Sequence, residues 1–550
     1  MSKIKICALG GLNELGKNMY IVEVNDDIYV FDAGLKYADD RMLGVDYIIP
    51  NYEYLINNQD RIQGIFITHG HDEQMGAIAD MIIDLPKVNI YGTKFTLDII
   101  KIDLQGIPYK NKLVEINPHK KLNVGSCSIF PINLSHNVPE TVGYVLYTDD
   151  GAIFYTGNFV FDPTMLSFYN TDIGKLAYVG KQGVLCLMSE SILANRTGYT
   201  TPHHRTYNYL RELINRCDKR ILVNIYQGQI YRLQELFNAV METDRQVVIM
   251  GKTLQEIIIR AIDNKYIDFD KSRIGSIHHI KDPRVVVIIS DEREKPFSNL
   301  KRIVKGYDKF ITLKTDDTVV VASPVYDGLE KTASDLFNEI AKKDVNLVTL
   351  SGDQYPSPHA SSEDLLLMLD LMNPKYYFPV IGEYRNQVAN ADVAKTVGFA
   401  DENIILALNG QVITFENGEL VSMNEIIKTD EILIDGKTAG DIGEIVIKDR
   451  EMLGENGIVI VMATVEKESK KILSGPEFIS KGFVFLKENK DLIAEAEKMA
   501  LDIIKDNTKP FYIDYVKVKN EIRDKIGKYL YQETDSKPMI LSMIQEIEKV

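Results

Sequence analysis

Two stretches built in one style enclose a stretch built in another. Residues 3–160 read as short apolar strands joined by tight turns, from Lys3-Ala8 through Tyr20-Val24, Ile28-Asp32 and Gly64-Thr68 to Ala152-Tyr155. Helical patterns at Gly76-Ile83 and Thr93-Ile100 sit among them, which predicts an α/β layered domain. From about residue 206 to 350 the pattern becomes strand–helix repeats, with Ile221-Ile225 before a helix at Tyr231-Glu242 and Gln246-Met250 before Thr253-Asp263. Val345-Ser351, a helix at Glu363-Met372 and a strand at Tyr376-Val380 then resume the first style, the order produced when one domain is inserted into another. Residues 435–443 are poor in large apolar side chains and carry Gly436, Gly440 and Gly443, which places a linker or small connecting strands there. Strands at 456–463 and 481–487 and helices at Leu492-Lys505 and Asp514-Gln532 make a compact C-terminal α/β domain.

Bulk properties narrow the class. At ~150 residues per domain, 550 residues suggest three or four domains. Hydrophobic residues at 45% and charged residues at 26% exclude a disordered chain, a collagen and a disulfide scaffold. Four cysteines without a Cys-x-x-Cys pair favour a reducing cytoplasm. No apolar run is long enough for a signal peptide or a membrane span, so no membrane association is expected. A formal charge of -16 gives no field that attracts nucleic acid, so any RNA contact needs a local basic groove.

Chemistry concentrates in few places. Two of nine histidines form His69-Gly70-His71 directly after the strand Gly64-Thr68. Such a pair can aim both imidazoles into one crevice and hold a metal ion; the alternative is a turn with two surface histidines. His136, just past another strand, would complete three ligands and leave a zinc ion one open position, although alone it reads as a hydrogen-bonded loop histidine. Gly251-Lys252-Thr253 resembles the end of a phosphate loop, but Gln246 occupies the place of its first glycine, which excludes an ATP site. Lys252 then lines a cleft or is simply solvated.

Several motifs in order carry a family resemblance. They are Phe31-Asp32-Ala33-Gly34, His69-Gly70-His71-Asp72-Glu73-Gln74, His136 and Thr156-Gly157-Asn158-Phe159, as in metallo-β-lactamase hydrolases. Gly10-Gly11-Leu12-Asn13-Glu14-Leu15-Gly16, Ser351-Gly352, His359-Ala360-Ser361-Ser362-Glu363, Pro379-Val380-Ile381-Gly382-Glu383 and Asp435-Gly436 with Gly440-Asp441-Ile442-Gly443 narrow it further. Together they resemble ribonuclease J, of the β-CASP branch.

That resemblance implies a four-layer αββα metallo-β-lactamase domain at 1–205 and 351–427 with a β-CASP α/β domain inserted at 206–350. A linker at 428–447 and a small C-terminal α/β domain at 448–550 would follow. It implies RNA in the cleft, two divalent ions that activate a water, and cleavage from the 5′ end or internally. Ser351, His359, Ala360 and Glu190 match RNA-contacting positions, and Glu73, Asn158 and His359 match the catalytic set. For His359 the alternative is a surface residue at a helix start, and for Glu190 a charged strand end.

The sequence departs from the family at the ions. Glu73 replaces an aspartate, Gln74 a histidine, Asn158 the bridging aspartate and Ile381 a histidine. Two 2+ ions ~3.5 Å apart repel by ~20 kcal/mol even at an effective dielectric of ~20, so bridging and surrounding anions must offset that. The expectation is therefore zinc or another divalent ion at one site on His69, His71 and His136, weakly held or absent, with no second ion. Further segments also differ: Ser290-Asp291-Glu292-Arg293-Glu294-Lys295-Pro296-Phe297 lacks the family's glycines and glutamine, and six residues, Asp353-Pro358, stand between Gly352 and His359. The pattern resembles the degenerate-site paralogue that accompanies an active ribonuclease J in many Gram-positive bacteria. It implies a weakly active or inactive subunit in RNA decay and ribosomal RNA maturation, forming hetero-oligomers with the active paralogue and homo-oligomers with itself. A one-metal 5′-3′ exoribonuclease is the second reading, and a small-substrate hydrolase the third, which the β-CASP insert disfavours.

Overall fold

The computed structural model describes every residue except Met1, 39–41, 292–296, 324, 326–328, 351–354, 436–437, 440–443, 484–489, 510–511 and 549–550. The chain divides into two compact units, Met1–Ala38 with Asp46–Ile434, and Asp39–Val45 with Asp435–Val550.

Alternation of side chains along the first strands builds a two-sheet sandwich. In Lys3–Gly10, Met19–Val24 and Asp27–Phe31, residues Ile4, Ile6, Tyr20, Val22, Tyr29 and Phe31 face one way. They meet Tyr144, Leu146, Ile153, Tyr155, Met188 and Phe378 from the second sheet in one buried core. The opposite faces, Cys7, Leu9, Ile21, Val30 and Ile65 on one side and Ile132, Phe154 and Leu187 on the other, are also buried. Both faces of each sheet are therefore apolar, which is why a helical layer covers each outside. Helix Lys94–Asp103 lies on the first sheet; Ile173–Gln182 and Ser362–Met372 lie on the second. The first sheet orders its strands Glu419–Ile426, Gln411–Glu416, Lys3–Gly10, Met19–Val24, Asp27–Phe31, Ile62–Phe66, Ile90–Gly92 and Leu113–Glu115. The second orders Tyr376–Val380, Val184–Glu190, Gly151–Tyr155, Val142–Thr148, Cys127–Asn133 and Leu122–Val124.

The insert is an all-parallel six-stranded sheet, Ile274–Gly275, Val247–Met250, Val286–Asp291, Ile221–Tyr226, Thr318–Val321 and Asn346–Thr349. Its runs of Val and Ile are buried on both faces, as parallel strands under crossover helices must be. Asn346–Thr349 pairs with Thr318–Val321, so the stretch read as a return to the first style is the edge strand of the insert. The single helix expected at Gly76-Ile83 is two short ones, Asp72–Met75 and Ile78–Met81.

The second unit holds a three-stranded sheet, Ile472–Lys481, Ile458–Glu466 and Met539–Ile547. Val459, Val461, Ala463 and Val465 bury one face of its central strand against Ala496, Ala500, Ile503 and Ile522 of the helices. Of the linker or small connecting strands expected at 435–443, the strand Thr438–Ala439 is seen, Gly436, Gly440 and Gly443 lie outside the described residues, and helix Glu444–Asn456, which the sequence did not suggest, follows directly. Among the described residues no helix is long and apolar enough to cross a membrane.

Candidate metal centre

Strands Asp27–Phe31 and Ile62–Phe66 are parallel neighbours, with Phe31 opposite Phe66, so both loops leave at the same edge of the sandwich. One loop brings Asp32, the other Thr68, His69 and His71. Asp32 is fully buried. Its carboxylate accepts from Thr68 N–H at 2.8 Å, from the Thr68 hydroxyl at 3.0 Å and from the Tyr155 hydroxyl at 2.7 Å. Burial pushes this carboxyl up to about 7, against the pull of those three donors. With its proton given to Asp32, the Thr68 oxygen accepts from His69 Nδ1–H at 3.0 Å.

The other two imidazoles are fixed by backbone carbonyls. His71 Nε2–H donates to Gly228 O at 3.2 Å, and His136 Nδ1–H donates to Pro358 O at 2.9 Å. Each outer nitrogen thus holds its proton, and each inner nitrogen turns a lone pair inward. His71 Nδ1 lies 3.0 Å from His69 Nε2 and 3.4 Å from His136 Nε2. A tetrahedral zinc with bonds of ~2.05 Å sets its nitrogens about 3.3 Å apart, so the three donors fit a divalent ion. Burial, and then the neighbouring histidines, hold His69 and His136 well below the usual imidazole range, which keeps those lone pairs available at neutral pH. All three candidate donor atoms lie within 4.8 Å of one another.

His359 stands beside this cluster, its ring 5.3 Å from that of His136. Its Nδ1 bonds Glu190 Oε2 at 2.7 Å. Glu190 is fully buried and also accepts from Phe159 N–H at 2.6 Å and Ala360 N–H at 3.3 Å. The Ala360 amide is therefore engaged within the protein, and Ser361 N–H likewise bonds Asp364 at 3.1 Å. The sequence leaves the position of His359 open because of the preceding insertion; the structure puts it against His136. Ser351 lies outside the described residues.

The positions that the resemblance assigns to a second ion look different. Gln74 is fully buried, yet neither atom of its amide makes a hydrogen bond. Asn158, on the loop whose Gly157 touches Thr68, is buried with its Oδ1 unbonded. Ile381 packs into the core between the sheets with φ at +53°. A β-branched residue is a genuine outlier there, and its backbone is held by Tyr20 OH and Ser191 N–H at 3.1 and 3.0 Å. Glu73, half-buried on helix Asp72–Met75, is the one carboxylate at these positions.

Sequence reasoning missed the carbonyls of Gly228 and Pro358 and the tyrosine behind Asp32. Backbone acceptors leave no side-chain signature; only the turn-forming Gly228 between a strand and a helix offered a hint.

Comparison with known proteins agrees with this architecture. Residues 30–173 match the beta-lactamase superfamily domain, 218–340 the ribonuclease J beta-CASP domain and 445–547 the ribonuclease J C-terminal domain. The chain is 35% identical over 549 residues to Ribonuclease J2 of Bacillus subtilis, covering 99% of each. It is 33% identical over 551 residues to Ribonuclease J 2 of Staphylococcus epidermidis, covering 99% of this chain and 98% of the relative. A crystal structure of a protein of unknown function from Enterococcus faecalis shares the fold at a TM-score of 0.52 and 16% identity, covering 75% of this chain and all of that one. With full-length relatives and three domains matched in order, this chain belongs to the ribonuclease J family.

Proposed function

We propose that this protein is an RNA-processing and RNA-decay subunit with little or no cleavage activity of its own, acting in the cytoplasm beside an active ribonuclease J paralogue. The observation that carries this reading is the contrast within one crevice. His69, His71 and His136 converge as one ligand set, whereas Gln74, Asn158 and Ile381 occupy the positions where a second ion would need anions and imidazoles. When bound, a divalent ion supplies Lewis acidity and lowers the pKa of a bound water. His69 Nε2, His71 Nδ1 and His136 Nε2 would hold it. His359, oriented by Glu190, would contact a phosphate of the RNA from the side of His136. Nothing at Asn158 would neutralise a second cation, because an amide carries no charge.

Metal analysis and cleavage of 5′-monophosphorylated RNA test the reading on the purified chain. The expected result is at most one ion per chain, and turnover far below that of an active paralogue. Two ions per chain with matching turnover would overturn it. The intact three-histidine set beside the Glu190–His359 pair favours the second reading, a 5′-3′ exoribonuclease that works with one ion. Rapid degradation by a chain holding a single ion would decide for that reading.

A further inference from the structure

Two residues of the insert touch the two histidine loops, Gly228 the loop of His71 and Tyr231 the loop of His136. Strand Ile221–Tyr226 ends in the turn Gln227-Gly228-Gln229, from which helix Ile230–Met241 starts. At this turn Gly228 O accepts from His71 Nε2–H at 3.2 Å, and Tyr231 N–H donates to the carbonyl of Asn137, the neighbour of His136, at 2.9 Å. The approach is close: a Cβ on Gly228 would lie 3.0 Å from His71 Cδ2 and 3.3 Å from Nε2. The third imidazole is tied outside the sandwich strands as well, through Pro358 O.

We infer that the 228–231 turn of the insert is part of the metal centre, so that zinc loading and the position of the insert are linked. The Gly228 carbonyl fixes which nitrogen of His71 carries the proton and which way the ring faces. If the insert swings, His71 loses that partner and can turn its donor away from His69 and His136. By linkage the converse holds with equal strength: an ion on the three histidines holds the His71 ring in place, and the ring holds the turn. Gly228 is a positioning residue, acting through His71. This inference rests on the three-histidine site of the proposed function, and it adds a route by which a ligand spanning the cleft would tune metal retention.

The test uses zinc alone with the full chain. Gly228→Ala should weaken zinc binding, read by competition with a chromophoric chelator, by ~10–100-fold, the range typical of lost outer partners. In the unmodified chain, zinc should slow hydrogen exchange of amides 228–241, and the variant should lose that protection. Equal zinc affinity of the two chains would overturn the inference. So would zinc binding by the unmodified chain that leaves exchange of 228–241 unchanged, a result that stands even where the variant misfolds. Failure of the unmodified chain to bind zinc at all would sink both this inference and the one-ion site beneath it.

Discussion

The two halves of the crevice obey opposite rules for buried polar groups. On the three-histidine side every outer nitrogen has an acceptor, and the acceptor behind His69, the Thr68 hydroxyl, is itself held by Asp32, which Tyr155 also bonds. On the other side, Gln74 and Asn158 are just as deeply buried but leave amide atoms without hydrogen bonds. Orphaned buried polar atoms cost roughly 1–3 kcal/mol each, so they persist where the surrounding fold over-determines the backbone. Under the function proposed above, the contrast would mean that the scaffold of a dinuclear centre outlasts its ligands. Ile381 says the same in its backbone, which keeps a left-handed turn that an isoleucine disfavours.

Rebuilding the depleted half is the strongest way to break this comparison. Glu73→Asp, Gln74→His, Asn158→Asp and Ile381→His together should raise RNA cleavage by at least ~100-fold and admit a second ion, since two ions clamp attacking and leaving oxygens together. Histidine also tolerates the left-handed backbone at 381 better than isoleucine does. Cleavage assays with metal counting read the result. An unchanged rate with two ions bound would place the defect elsewhere, for instance among the altered insert segments.

The partnered half is probed one layer out. Asp32→Asn keeps the size of the side chain but removes the charge that orders Thr68 and, through it, His69. Zinc affinity should fall by ~10–100-fold. Titration against a chelator measures it, and an unchanged affinity would mean that His69 is positioned by packing alone.

How much of this was legible in the sequence follows from which forces are local. Alternating apolar residues in Lys3-Ala8 marked a strand with two faces, found as Lys3–Gly10, and the strand–helix repeats from Ile221-Ile225 onward marked a separate α/β unit, whose strands the structure shows to be parallel. The spacing of His69 and His71 left a metal pair and a surface turn both open, with His136 as the candidate third ligand, and the structure brings the three side chains together. Strand partnership is not local, so the style of Val345-Ser351 pointed to the flanking domain although Asn346–Thr349 pairs within the insert, inside the 206–350 boundary. Helix Glu444–Asn456 was missed because its mixed polar composition lacks a clear apolar stripe. The left-handed turn at Ile381 was invisible because the residue there argues against it.

A buried histidine also bears on the acid response. His204 is buried with both ring nitrogens unbonded, its Nε2 3.7 Å from Asp162 Oδ2. Burial drives its imidazole down to about 4, with Arg205 and Arg232 pushing the same way and Asp162 opposing. In the unfolded chain the ring titrates near 6.5, so between these values the unfolded state binds the extra proton. The contribution of His204 to stability is therefore full above about pH 6.5 and is lost as pH falls toward 4. His204→Gln should remove ~2 kcal/mol of the loss between pH 7 and pH 5, read from denaturant unfolding at the two pH values. An undiminished loss in the variant would assign the acid response to other groups.

Gln74 offers the smallest effect and the sharpest reading. Methionine nearly matches its length and volume and carries no polar group in need of a partner. If the amide is a relic, Gln74→Met exchanges two unmade hydrogen bonds for packing, and the chain should gain ~1–2 kcal/mol of stability with zinc affinity unchanged. Thermal or denaturant unfolding, with a parallel zinc titration, reads both quantities. If the variant instead loses stability or metal, the amide is a working donor after all, to an ion or an ordered water in the depleted half. The two halves would then differ in the strength of their ligands rather than in their presence, and a weak second site would have to be added to the chemistry of this chain.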